Sequence, residues 1–390
     1  MREPVSLVSI ARCASYEPDA VAEAVQSALE LAGASVFEGR TSVLLKPNLL
    51  SSRPPEDAVT THPAVVEAVG RIASRAGCRP VLGDSPPFAG ESPVRYAKLC
   101  EQTGMTEVAR RLGAELVRFE ESIVTVPSPS GRFYRSFEIA SAVMDADLVV
   151  SISKLKTHGL TAFTGAVKNL FGCVPGIRKG LFHVQAAEDR ETFAQMLVDL
   201  AGALPRAIHV MDAVVAMEGD GPNAGRPRNV GLILASIDPV ALDAVACEIV
   251  GMDPMSIDTT RLAHDQGRGC GLLDSIDIRG ARIEDVRISD FVPSSGVNEW
   301  TKIPGPMRRL LRRQLIASPR VDAGECAGCG DCARACPVGA IAPGKPARID
   351  LERCIRCYCC HEVCDLSAVS LRRGLLGEAM HWWQRKKRLG

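Results

Sequence analysis

Along the first 290 residues, short apolar runs rich in β-branched residues alternate with segments whose apolar positions recur every three or four residues. The apolar runs are VSLVSI at 5–10, SVLLKP at 42–47, PVLGD at 80–84, ELVRF at 115–119 and DLVVSIS at 147–153, with further strands predicted near 207–215 and 230–236. Continuous apolar runs are typical of strands buried on both faces, and alternation with helices favours parallel strands. We therefore predict an α/β domain with a mostly parallel open sheet and helices on both faces.

This alternation is interrupted once and then ends. Residues 120–140 hold a Pro-Ser-Pro-Ser-Gly turn between two short strand-like pieces, which predicts an antiparallel hairpin insertion. After about residue 290 the chain becomes rich in Pro, Gly and Ser, and then basic. We predict four parts: an α/β domain at 1–290, a Pro/Gly linker with a basic helix at 291–320, a small cysteine-rich domain at 321–373, and a basic tail at 374–390.

Composition narrows the class of protein. The chain has 390 residues, and its 46 Lys and Arg balance its 46 Asp and Glu, so no basic excess favours nucleic acid as a partner. No uncharged apolar run reaches the ~18 residues that a membrane span needs, and the first residues lack the apolar core of a signal peptide. We therefore expect no transmembrane segment and a cytoplasmic location.

Nine of the fifteen cysteines lie between 326 and 364 in a repeated pattern. Cys326 begins a C-x2-C-x2-C-x3-C run that is followed by Pro337, and Cys354 begins the same spacing 28 residues later. Such short loops let three thiolates converge on one face of an iron–sulfur cube while backbone amides point at the sulfurs. A pair of zinc sites is the alternative, since zinc also uses paired cysteines.

The duplicated run resembles the bacterial two-cluster ferredoxins over roughly 50 residues. The resemblance implies a small α+β ferredoxin-like domain with two 4Fe-4S clusters, in which the fourth cysteine of each run serves the other cluster. The ligands implied for one cluster are Cys326, Cys329, Cys332 and Cys364, and those for the other are Cys354, Cys357, Cys360 and Cys336. In two departures from the pattern, Asp365 stands where proline is expected and Cys359 is an extra thiol, so the second site can differ in ligation or potential.

Polar side chains follow the predicted strands of the larger domain, and open parallel sheets bind ligands at the carboxyl ends of their strands. The candidates are Lys46, Asn48, Asp84, Lys154, Lys156 and His158, together with Lys168 and Asn169 on a helix predicted to begin near Thr161 or Thr164. Ammonium groups and helix N-terminal amides both favour anions. We predict a site for a small anionic substrate or cofactor, against the alternative that these lysines are solvated strand ends.

Several motifs of the larger domain resemble an uncharacterised family, domain of unknown function 362. They are KPN at 46, GDSP at 83, SKLKTHGLTAFTGAVKNLFGCVPG at 153, EGDGP at 218 and DPVALDAVACEIVG at 238. The resemblance covers about residues 40 to 255, and many similar proteins carry a ferredoxin module. It implies an iron–sulfur protein with a shared site around the lysine motif, and it leaves the reaction open.

Two basic segments lie at the edges of the cysteine-rich domain. MRRLLRRQLI at 307–316 separates apolar and arginine faces at helical spacing, and the chain ends in HWWQRKKRLG. Both segments suit peripheral contact with a membrane surface or an acidic redox partner, and a packed linker helix with a solvated tail is the alternative.

Three functions fit these features. The first is an oxidoreductase in which the two clusters feed electrons to an anionic molecule at the lysine site, with Lys156 or His158 as the catalytic proton donor. The second is an electron-transport protein that receives electrons from a reductant, docks onto a partner oxidoreductase and has no chemistry of its own. The third is a scaffold or cluster-delivery protein.

Overall fold

The computed structural model describes residues 6–33, 37–87, 89–176, 178–186, 189–296 and 316–374. Residues 307–315 of the basic segment predicted to be helical at 307–316, and the tail beyond residue 374, lie outside these ranges. Within the described residues, none of the helices has the length and apolar character that crossing a bilayer would take.

The strands are β1 (Ser6–Arg12), β2 (Ser42–Pro47), β3 (Arg79–Asp84), β4 (Glu115–Arg118), β5 (Ile123–Pro127), β6 (Ser136–Ala140), β7 (Leu148–His158), β8 (Ala162–Thr164), β9 (Ala207–Glu218), β10 (Arg226–Ser236), β11 (Ile276–Gly280), β12 (Ser318–Val321), β13 (Ile341–Ala342), β14 (Arg348–Ile349) and β15 (Val369–Arg372). The helices are α1 (Pro18–Leu31), α2 (Pro63–Arg75), α3 (Pro93–Gln102), α4 (Met105–Leu112), α5 (Ser141–Asp145), α6 (Ala166–Asn169), α7 (Arg178–Ala186), α8 (Arg190–Ala203), α9 (Pro239–Ile249), α10 (Asp258–Asp265), α11 (Asp331–Ala335) and α12 (Cys359–Glu362).

The main sheet is mixed but mostly parallel, with strand order β11-β1-β10-β9-β7-β2-β3-β4 and β8 paired on β7. Strands β9, β7, β2, β3 and β4 are mutually parallel, as are β1 and β11. Strand β10 runs antiparallel to both β9 and β1. The predicted fold class is therefore confirmed, and β10 is a local exception that an apolar run alone cannot reveal.

Helices cover both faces of this sheet because successive strand residues point to opposite sides. Leu45 and Val150 pack with α1 to α4 on one face. Their neighbours Leu44 and Val149 pack with α8 on the other face, and α9 closes the same side further along the sheet. The predicted helices on both faces are present.

The segment after β7 differs from the predicted one. The chain first forms β8 and then α6, so the helix begins at Ala166 rather than near Thr161 or Thr164. The Asp243 carboxylate on α9 accepts hydrogen bonds from the amides of Ala166 and Val167 at 2.6 and 3.1 Å. A residue distant in sequence therefore caps α6, and local threonines do not.

The cysteine-rich part is a small ferredoxin-like unit. Strands β12 and β15 pair antiparallel, as do β13 and β14, and the short helices α11 and α12 lie within the two cysteine runs. In the larger domain, β5 and β6 form a separate two-stranded antiparallel sheet between β4 and β7.

Candidate functional site

Lys46 ends β2 in a buried network of its own. Its ammonium lies 2.9 Å from Asp84 Oδ1 and 3.4 Å from Asn169 Oδ1, and the lysine is fully buried. The Asp84 carboxylate also accepts hydrogen bonds from the amides of Leu49 and Ser85 at 2.8 and 2.9 Å. The charge of Lys46 is thus balanced inside the protein by the Asp84 carboxylate.

Lys154 on β7 is paired in the same way. Its ammonium donates to Asp212 Oδ2 and to the Tyr16 hydroxyl, both at 2.8 Å, and lysine and aspartate are fully buried. Asp212 further accepts from Tyr16, His62 N and Val214 N at 2.8, 2.9 and 3.3 Å. Burial lowers the pKa of Lys154, and the Asp212 carboxylate opposes this shift.

Lys156 and Lys168 are held differently, because no carboxylate pairs directly with either within the described residues. The Lys156 ammonium donates to Asn48 Oδ1 at 2.7 Å and to the Val59 carbonyl at 2.6 Å. Burial lowers its pKa well below the ordinary range, and the positive charges of Lys168 and Lys154 lower it further. In the described part of the chain, Lys168 on α6 has neither a hydrogen bond nor an ion pair within 4 Å. Lys46 and Lys154 are therefore each paired with a carboxylate, whereas Lys156 and Lys168 have no carboxylate partner among the described residues.

His158 ends β7 beside these two lysines, and its ring is fully buried. Its Nδ1 accepts hydrogen bonds from the amides of Leu160 and Thr161 at 3.0 and 3.3 Å. The proton of the neutral ring therefore sits on Nε2, which lies 3.0 Å from Glu362 Oε1. Burial, and then the charge of Lys168, lowers the pKa of His158 to about 4.

Glu362 comes from the ferredoxin-like unit, on α12 between Cys360 and Cys364. Its carboxyl group is buried against His158 and within electrostatic range of Lys168 and His183. Burial alone would raise the pKa of Glu362, but His158 and Lys168 outweigh this effect and hold it below the ordinary range. We call Lys156, His158, Lys168, His183 and Glu362 the strand-end site.

Sequence reasoning missed Glu362, His183, Asp212 and Tyr16. The one signal in the sequence was the acidic residue Glu362 between two cysteines of the second run, Cys360 and Cys364. A further buried network was also missed: Lys179 donates to Ser85 Oγ at 2.7 Å, and Ser85 Oγ donates to Glu120 Oε1 at 2.5 Å. Burial lowers the pKa of Lys179 to about 8, against the opposing charges of Asp84 and Glu120.

The glycine-rich loop at 218–225 lies in the larger domain and contacts the cysteine-rich part. Asn223 Nδ2 donates to the Cys364 carbonyl at 2.9 Å, and His361 Nε2 lies 3.0 Å from the Asp220 carbonyl. A Cβ atom at Gly221 would come within 2.3 Å of the Thr157 carbonyl, so only glycine permits this approach to β7. The loop therefore lies between the strand ends and the second cysteine run.

Asp365, which replaces the expected proline, faces the larger domain. Its carboxyl group lies within interaction range of Ser51, Arg53 and Lys98. Arg53 also donates to Ser367 Oγ at 2.8 Å. The departure from the ferredoxin pattern thus coincides with contact between the two parts.

The eight cysteines sort into two groups in space. Cys336, Cys354, Cys357 and Cys360 line one apolar cavity. Cys326, Cys329, Cys332 and Cys364 interact electrostatically with one another. Each group contains one cysteine of the other run, which is the arrangement of the predicted interleaved ligand sets; the sets themselves stay a prediction. Four thiols around one cavity fit the donor set of a 4Fe-4S cluster.

Backbone amides support the thiols. Ala340 N donates to Cys336 Sγ at 3.1 Å, and Ala368 N donates to Cys364 Sγ at 3.2 Å. Such hydrogen bonds stabilise thiolates and tune a cluster's potential. The extra thiol of Cys359 hydrogen-bonds to Cys357, so it lies beside the second group. The six cysteines outside the runs are buried thiols.

The chain is similar to one known protein in sequence and, weakly, to two solved structures. A protein of Synechocystis sp. named "Thylakoid-associated protein sll1697" is 38% identical over 257 residues, which cover 65% of this chain and 78% of that protein. The lactate racemase apoprotein of Thermoanaerobacterium thermosaccharolyticum aligns with a TM-score of 0.37 and 13% identity over 61% of this chain. A structural-genomics protein of Thermotoga maritima aligns with a TM-score of 0.36 and 14% identity over 57%. The chain spans 55% of each of these two structures, too weak a likeness for any argument.

Two family models match the chain. The model described as a 4Fe-4S dicluster domain matches residues 318–365, so the cysteine-rich part carries two 4Fe-4S clusters rather than zinc. The model described as "Domain of unknown function (DUF362)" matches residues 43–248, which include β2 to β10 and the strand-end residues of the larger domain. The chain therefore belongs to the DUF362 family and joins that domain to a C-terminal two-cluster ferredoxin-type domain.

Proposed function

We propose that this protein is an iron–sulfur oxidoreductase whose two clusters deliver electrons to a small anionic molecule bound at the strand-end site. One observation carries the proposal: Glu362, which lies between Cys360 and Cys364, is buried against His158 at the end of β7. The second cysteine run, which would supply ligands to both clusters, therefore contacts the strand-end site directly. Electrons leaving the clusters have a short path to a molecule bound there.

The residues of the site fit this role. Each 4Fe-4S cluster exchanges one electron, so the two together can supply an electron pair. Lys168 and Asn169, with Asn48, would bind and orient the anion, whereas the paired Lys46 and Lys154 would set the shape of the site. Because the free charges are few, the site suits a small anion rather than a polyphosphate.

Lys156 is the proposed catalytic proton donor. Burial and neighbouring positive charges hold the pKa of this ammonium well below its ordinary range, so it releases its proton more readily to a substrate that gains electrons. His158 would position the substrate through its Nε2 proton, because its lowered pKa keeps the ring neutral at pH 7.

A second candidate is an electron carrier that docks onto a partner oxidoreductase. It is favoured by the burial of Lys156 and His158, which are 1% and 0% exposed, and by the exposure of Cys329 at the edge of the first cysteine group. Electrons would then pass between the clusters and a partner at the Cys329 face.

The test is reoxidation of the reduced protein. Anaerobically reduced protein is mixed with reducible small anions (2-oxo acids, nitrite and sulfite), and the cluster EPR signals are followed. We expect at least one anion to reoxidise the clusters, and Lys156→Met together with Lys168→Met to abolish this while iron content stays normal. Lys345→Met, an exposed lysine of the ferredoxin-type domain, is the control. Transfer to a partner protein at the same rate in all variants, with no reactive anion, supports the carrier instead.

We further propose a cytoplasmic protein that meets its reductant or redox partner through peripheral contact, at a membrane surface or in solution. The name of the Synechocystis relative, which describes thylakoid association, supports the membrane alternative. The basic segments at 307–316 and 381–390 would provide the contact. Liposome sedimentation at low and high salt tests this, since truncation of 381–390 should remove salt-sensitive binding.

A further inference from the structure

We propose that the strand-end site is a carboxylate site, and that the Glu362 side chain occupies it as an internal ligand that a free carboxylate displaces. This inference rests on the proposed function, because it names the chemical class of the molecule that receives the electrons. It also gives the contact between the two domains a role in regulating access to the site.

The position of Glu362 is that of a bound ligand. Its carboxylate reaches from one domain into a buried group of side chains from the other, with Oε1 3.0 Å from His158 Nε2. Lys168 and His183 surround it within electrostatic range. A neutral imidazole N–H and one ammonium are donors that suit a single planar carboxylate.

The buried structural pairs of this protein look different. Asp212 accepts four hydrogen bonds, and Asp84 accepts two from backbone amides beside its ion pair with Lys46. By contrast, Glu362 Oε1 and His158 Nε2 face each other without an aligned hydrogen bond to any described residue. A buried carboxylate with so few directed bonds gains little over water and is easily exchanged.

Exchange requires little rearrangement of the chain. Glu362 is the last residue of the four-residue helix α12, and neither of its immediate neighbours is a predicted cluster ligand. A change of its side-chain rotamer would free the Nε2 donor of His158, near the Lys168 ammonium, without moving Cys360 or Cys364. An entering carboxylate would then lie beside the segment that carries the clusters.

Binding to the oxidised, cluster-loaded full chain tests the inference. The probes are ¹³C-labelled acetate, ¹³C-labelled formate and, without carbon label, inorganic phosphate. Binding of each is followed by NMR titration under anaerobic conditions. We expect Glu362→Ala to bind acetate at least tenfold more tightly than the unmodified protein, because the substitution vacates the place. Glu325→Ala, at an exposed acid of the same domain, should leave acetate affinity unchanged. Adding His158→Ala to Glu362→Ala should abolish the gain.

Glu362→Gln covers the case in which the alanine variant loses its clusters. The amide keeps the volume but lacks the negative charge that the Lys168 ammonium attracts, so we expect acetate affinity to rise several-fold. The inference is overturned if acetate affinity rises in neither variant. It is also overturned if Glu362→Ala binds phosphate in preference to acetate, which would assign the site to another anion.

The measurement separates this inference from the proposed function. Acetate is not reduced, and the protein stays oxidised, so carboxylate binding with no reoxidation by any anion would refute electron delivery and leave the carboxylate site standing. Reoxidation by an anion that is not a carboxylate, without acetate binding, would refute the carboxylate site and leave electron delivery standing.

Discussion

The buried pair between Lys154 and Asp212 offers the sharpest test of how the strand ends are held together. Asp212→Asn keeps the size of the side chain and removes its charge, which leaves the Lys154 ammonium fully buried with only the Tyr16 hydroxyl and an amide oxygen as partners. Removing one partner of a buried pair typically costs about 3 to 5 kcal/mol. At roughly 2 to 4 °C per kcal/mol, the thermal midpoint should fall by on the order of 10 °C.

The assay is anaerobic thermal unfolding followed by far-ultraviolet circular dichroism at one fixed scan rate, because cluster loss makes unfolding irreversible. Asp277→Asn is the matched control, since Asp277 pairs with Arg279 at 2.9 Å on the exposed edge strand β11. A surface pair is worth about 0 to 1 kcal/mol, so this midpoint should barely move. Asp212→Asn combined with Lys154→Met should recover much of the loss, because the buried charge is then gone. Equal midpoints for the two single variants would refute the reasoning.

Two further predictions concern the clusters and pH. Cys364→Ser should damage the cluster of the first cysteine run, and Cys336→Ser that of the second run, as measured by iron content and EPR; damage confined to the cluster of the substituted cysteine's own run would contradict interleaved ligation. Burial lowers the pKa of His158 to about 4, below its unfolded value of 6.5, so acid favours the unfolded state. Stability should be intact above pH 6.5 and fall by about 2 kcal/mol from this residue by pH 5. His158→Gln should flatten that part of the midpoint-against-pH curve, and an unchanged slope would contradict it.

The repeated C-x2-C-x2-C-x3-C spacing determined the two clusters, because three ligands of each cluster lie within a few residues of one another and local geometry suffices. The alternation of apolar runs and helices likewise determined the α/β class, because burial on both faces leaves its mark on each strand separately. The antiparallel direction of β10 left no such mark, since an apolar run reads the same in both directions.

Sequence also placed Lys46, Lys154 and Lys156 at strand ends and Lys168 on the helix that follows, but it could not show which of these lysines lack a carboxylate partner. Lys154 and Asp212 are 58 residues apart, and only the parallel pairing of β7 with β9 brings them together. Contact between the two domains, made over a still longer separation, brings Glu362 to His158. Residue types fixed the local chemistry of this protein, whereas the balance of its buried charges was decided by the tertiary structure, because electrostatic pairing depends on distance in space and not along the chain.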